Sequence, residues 1–188
     1  EYTVFMSKLD FMYTEMSEEC SMFLAHTEKQ SSNYLTGIRE GQNKFLSNLY
    51  LKLVKKHFDI KNNKFKNWKY NCSHYFSNNA LKNRMENRNF VFEHIVPKSL
   101  IQFVKTENRS IEEVQNLLFD VISKYWLIAT ITEKEDAFIR TSLKKLENKT
   151  ILSDLSTFTL DPFFRYTYAE IKLVKNPIFS EERIPDYL

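Results

Sequence analysis

Phe90-Val91-Phe92-Glu93-His94-Ile95-Val96-Pro97-Lys98-Ser99 sets an acid and a histidine where an extended strand has to stop. Val91, Ile95 and Val96, flanked by two phenylalanines, favour strand because branched and aromatic side chains suit a pleated, half-buried surface. Pro97 has no amide hydrogen and a fixed φ, so neither helix nor a central strand runs through it. The strand therefore holds the imidazole, and the loop beyond leaves it open to a ligand.

Downstream, residues 100–109 read as a connector that ends on Ser110. Ser110-Ile111-Glu112-Glu113 is a capping box, with the serine oxygen placed for the third helical amide and Glu113 reaching back. A helix over 111–124 follows, with Val114, Leu117, Leu118, Val121 and Ile122 inward. Residues 126–131, Trp-Leu-Ile-Ala-Thr-Ile, then read as a buried strand, and Thr132-Glu133-Lys134-Glu135 opens a closing helix that turns Phe138, Ile139, Leu143 and Leu146 inward. Strand, connection, second strand and capped helix thus follow the acid and histidine in order.

The segment Glu93-His94-Ile95-Val96-Pro97-Lys98-Ser99 resembles the first half of the HNH (His-Me finger, ββα-metal) nuclease motif, especially the Asp-His-Ile-Val-Pro-Gln-Ser of RNA-guided CRISPR nucleases. The resemblance implies a ββα-metal core, here enlarged by the inserted helix, and a metal-dependent nuclease of the restriction, phage-defence or toxin kind. His94 would be the general base that activates water, and Glu93 a ligand of one Mg²⁺ or Mn²⁺. The family closes its site with a central Asn and a last His or Asn on the final helix, whereas this chain has no histidine after His94. In one register Asp136 takes the metal-ligand place, with Glu135 as its near alternative; in another, Asn116 takes the place of the central Asn. A noncatalytic nucleic-acid-binding or protein-interaction module on a degenerate finger is the alternative reading.

Charge points the same way. The formal net charge is +3, but residues 1–40 hold three basic and seven acidic side chains, residues 41–110 fourteen and four, and residues 111–188 ten and thirteen. The basic third ends in the Glu-His motif, as a phosphate-binding surface would require. Its core, residues 59–89, interleaves lysines with Phe65, Trp68, Tyr70, Tyr75 and Phe76, a pattern suited to gripping phosphates and stacking bases. Lys66, Lys69, Arg84, Arg88 and Lys98 are the expected nucleic-acid contacts, joined by Arg165 from the tail, whose planar fork suits a phosphate or a carboxylate of the tail itself. DNA ranks before RNA as the partner, with an immunity or partner protein besides. His74 has no acid or second histidine at metal spacing and reads as a surface or packing residue.

Upstream, residues 4–30 space Phe5, Leu9, Met12, Met16 and Phe23 as an amphipathic helix. A second helix is expected over 34–58, with Ile38, Phe45, Leu49, Leu53 and Val54 on one face and Gly37 and Gly41 making its first turns irregular or closely packed. After the Asp161-Pro162 turn, residues 163–174 alternate like a strand, and 176–188 read as a surface tail. The fold class is α+β and mainly helical: a helical hairpin and basic arm over 1–88, and a nuclease-like core over 89–188. Two glycines and four prolines argue against a turn-rich sandwich. Cys20 and Cys72 lack CxxC partners, which points to reduced thiols in a cytoplasmic setting. No apolar run approaches the roughly 18–20 residues of a membrane span, and no signal-peptide pattern opens the chain. An opening at Glu1 fits a piece of a longer protein. Phosphate-loop, Rossmann and serine-elbow patterns are absent.

Overall fold

A computed structural model of the chain describes residues 6–25, 32–60, 65–84, 89–98, 109–144 and 161–187. Phe5, Arg88 and Leu146, and the side chains of Phe23 and Ile38, lie outside the described residues. Helix α1 spans Lys8–Ala25 and α2 spans Ser32–His57. Ser7 and Asp10 open α1 with a reciprocal box: the Asp10 amide donates to Ser7 Oγ at 3.1 Å and the Ser7 amide to Asp10 Oδ2 at 3.0 Å. Leu9, Met12, Tyr13, Met16 and Cys20 form its buried stripe, and Leu46, Tyr50, Leu53 and Val54 that of α2. Gly37 and Gly41 lie within α2 with nothing inside 4 Å of where a Cβ would stand. Neither marks an irregular turn or a close approach, contrary to expectation.

The described part of the basic arm, 65–84, is built into the sheet. After a 3₁₀ turn at Trp68–Cys72 it forms strand β1, Tyr75–Ser77, and helix α3, Asn78–Asn83. Strand β2 is Phe90–His94, helix α4 is Ile111–Tyr125, β3 is Ile128–Thr132 and α5 is Glu133–Lys144. Both sequence-derived capping boxes form. Ser110 and Glu113 cap α4 reciprocally, and Glu135 donates its amide to Thr132 Oγ1 at 3.2 Å while accepting the Thr132 amide at 2.9 Å.

The sheet runs β2-β3-β1-β4. β2 and β3 are antiparallel, with Glu93 opposite Ala129 and His94 opposite Ile128; β1 lies parallel to β3. β4, Leu173–Lys175, closes the other edge antiparallel to β1. Helix α5 packs on β2 and β3, and α1 lies across α4 and α2. The result is an α+β fold with a mixed four-stranded sheet, whose main hydrophobic cluster draws on both halves of the chain.

Three expectations about side chains and segments need correction. Residues 163–174 are not one strand: helix α6, Phe164–Tyr168, comes first and only 173–175 pair. Its Phe163 and Tyr166 are buried at helical spacing, which alternation mimics over a few residues. Residues 176–188 are not a loose surface tail, because Phe179 is wholly buried, edge-on to Phe58 at 4.8 Å, and the Tyr187 hydroxyl donates to Ile171 O at 2.8 Å. Phe138 is exposed on α5, since Ile139 and Leu143 already fill the side facing the sheet.

His74 is a packing residue at the centre of the molecule. The Ile128 amide donates to its Nδ1 at 3.1 Å, which fixes the ring proton on Nε2, 3.2 Å from the Tyr13 hydroxyl and 3.3 Å from that of Tyr50. Burial pushes its pKa down to about 3, so it stays neutral and ties α1, α2 and the sheet together.

Candidate functional site

Strand β2 ends against a cleft of about 800 Å³. One wall is α2, through Lys44, Ser47, Asn48 and Leu51; the opposite side holds Glu93 and His94 with Lys69, Lys98, Leu143 and Arg165. Helical spacing explains the α2 wall, because residues 44, 48 and 51 share a face. Pairing with β3 explains the other: the register that sets His94 opposite Ile128 brings the strand end to the cleft floor.

His94 is 8 % exposed and packs edge-on against Trp126, ring centroids 4.6 Å apart. Its Nδ1 is buried with no hydrogen-bond partner. Burial holds its pKa well below the usual imidazole value, reinforced by Lys98, then His74, Arg165 and Lys69. The ring is therefore neutral at physiological pH, the state a proton acceptor requires.

Arg165 organises the strand end. Its Nη2 donates to Glu93 Oε1 at 2.7 Å and its Nη1 to the His94 carbonyl at 3.1 Å, with Ile95 O at 3.5 Å. The pair is mostly buried, so the charge-assisted bonds act with little screening. Arg165 thus finds its carboxylate in the strand rather than in the tail. Lys98 donates to Ser47 Oγ at 3.3 Å, and its pKa is lowered, chiefly by burial. Lys69 holds its Nζ 5.1 Å from the Phe92 ring centroid.

The structure brings together Glu93, His94, Lys69, Lys98 and Arg165. It does not bring Asp136, which is paired with Arg140 on α5 and does not line the cleft. Glu135 serves as a cap and tie, accepting from Ser77 Oγ at 2.6 Å and Asn79 Nδ2 at 3.0 Å. Asn116 is exposed on α4, while Lys66 and Arg84 are exposed and do not line the cleft. Glu93 is the cleft's single carboxylate among the described residues, and its partner is a guanidinium. No group of three His, Cys, Asp or Glu able to hold a metal occurs among those residues. One paired carboxylate amid Lys44, Lys69, Lys98 and Arg165 does not fit a divalent cation, which takes several oxygen donors; it fits an anion.

Sequence reasoning missed the α2 wall and Trp126. The face at 44, 48 and 51 was readable, but not which element it would meet. A second hollow of about 890 Å³ lies at the Phe90 end of β2, lined by Asn78, Asn79, Asn83 and Asn89 with Glu133 and Glu135. It has no histidine, and two of its three acids, Glu133 and Glu135, accept local hydrogen bonds, whereas the buried neutral imidazole belongs to the first cleft. No helix among the described residues is long and apolar enough to cross a membrane. Comparison with protein-family models, with curated proteins and with solved structures finds no match.

Proposed function

We infer that the protein is a nuclease whose cleft takes a phosphodiester of nucleic acid beside His94. The observation that carries this reading is a buried, neutral imidazole at the floor of a cleft lined by Lys44, Lys69, Lys98 and Arg165. The lysines and Arg165 draw in the backbone phosphate and offset the charge that gathers on its oxygens during attack. His94 accepts a proton from water as the water oxygen bonds to phosphorus and the ester oxygen leaves, taking a proton from solvent. A bound phosphate also opposes the cations that hold the imidazole pKa down, so binding raises its basicity.

The second reading, a noncatalytic nucleic-acid-binding module, is favoured by the donor set: Glu93 is tied to Arg165 rather than free for a cation. DNA, a cytoplasmic site of action and an immunity or partner protein belong to the nuclease proposal. Cys20 and Cys72, both free and buried, suit that setting.

The test is cleavage of plasmid DNA and of total RNA by the wild type and by His94→Ala. Reactions run with Mg²⁺, with Mn²⁺ and with EDTA, because the resemblance implies one divalent cation and the cleft's described donors do not make its site. Cutting that His94→Ala loses while keeping its affinity supports the nuclease. Equal cutting by the variant overturns it, and tight binding with no cutting under any condition gives the second reading.

A further inference from the structure

The 3₁₀ turn at Trp68–Cys72 serves two places at once. Lys69 enters the cleft, while Trp68 beside it stays 42 % exposed. The other aromatics of the arm are committed elsewhere: Phe65, Tyr75 and Phe76 are buried, and the Tyr70 hydroxyl donates to Phe90 O at 2.7 Å. Helix α2 leads to the same spot. Lys44, Asn48 and Leu51 line the cleft, and Lys55, four residues further on that face, holds its Nζ 5.5 Å from the Trp68 ring centroid. From Lys44 to Lys55 the face runs about 16 Å.

An exposed indole at the end of a lysine-bearing face has the make-up of a single-strand track. Cations follow the backbone, and the ring stacks a base whatever its identity. A duplex keeps its base faces inside its own stack and offers Trp68 none without unpairing. We propose that the cleft's ligand is a single-stranded polynucleotide, its phosphates following α2 from Lys44 to Lys55 and one base stacked on Trp68. This rests on the reading of the cleft as a phosphodiester site.

Fluorescence anisotropy of a labelled oligothymidylate, an oligouridylate and a duplex of the same length, at low salt, tests it on the wild type, Trp68→Ala, Trp68→Phe and Lys98→Ala. The single strands are expected to bind about tenfold or more tighter than the duplex. Trp68→Ala is expected to lose about tenfold in single-strand affinity alone, and Trp68→Phe to recover most of it. Trp126 is wholly buried, so quenching of tryptophan emission by unlabelled strand reports Trp68 and is expected to vanish in Trp68→Ala. Duplex bound as tightly as single strand, or Trp68→Ala binding like the wild type, overturns the proposal; the cleft reading then stands if Lys98→Ala weakens binding. No binding of any polymer overturns both.

Discussion

Arg165 links a carboxylate and two carbonyls at the end of β2, so its loss strands groups that have little water to replace it. Arg165→Ala is expected to cost roughly 3 kcal/mol, the order found when one partner of a buried pair is removed. Urea unfolding measures this, and a loss below about 0.5 kcal/mol, as at ordinary surface sites, would show that the pair contributes nothing. His94 yields a pH statement. Because burial and neighbouring cations lower its pKa, the acid limb of kcat/KM should lie well below pH 6.5. A limb at the free-imidazole value would mean that His94 is not the base. The acid and histidine were legible from Pro97 and the strand pattern. The pairing of Glu93 with Arg165 was not, because 72 positions separate them and only the tertiary fold sets that distance.

Helix α2 carries two glycines on exposed turns with room for a methyl group. Gly37→Ala and Gly41→Ala are each expected to stabilise the protein by about 0.8 kcal/mol, since alanine limits the unfolded chain and clashes with nothing. Thermal unfolding checks this, and a lowered midpoint would show that the helix start needs glycine there. Helix α1 was legible from its apolar period, and α4 and α5 from period and capping box together, because these determinants are local in sequence. Strand β1 was not. Its three residues sit inside a lysine- and asparagine-rich arm, and their strand character comes from pairing with Ala129, Thr130 and residues 173–175. Tertiary context overrides local composition in so short a strand.

At the scale of the whole molecule, His74 makes stability depend on pH. It is neutral in the fold, with a pKa near 3, and titrates near 6.5 when unfolded, so the unfolded chain takes up the proton first as pH falls. Its contribution is full above pH 6.5 and is lost below it, at up to about 1.4 kcal/mol per pH unit; His94 acts in the same direction. Urea midpoints are expected to fall between pH 7 and pH 5, and equal midpoints would contradict the buried neutral state. Three lysines of the basic middle third, Lys44, Lys69 and Lys98, line one cleft, so affinity should also fall steeply with salt. With Lys44, Lys55, Lys69 and Lys98 on the backbone, log K against log salt is expected to slope at about −3 for a single strand.

The most direct test of a phosphodiester beside His94 follows that side chain's own titration. Imidazole signals in ¹⁵N-labelled protein, with His94 assigned by loss of its signal in His94→Gln, are read without and with a cleavage-resistant phosphorothioate strand. If the phosphate sits among Lys69, Lys98 and Arg165, the His94 pKa rises on binding while His74 stays near its low value. An unchanged His94 titration at saturating strand would put the nucleic acid elsewhere and contradict the cleft as its site.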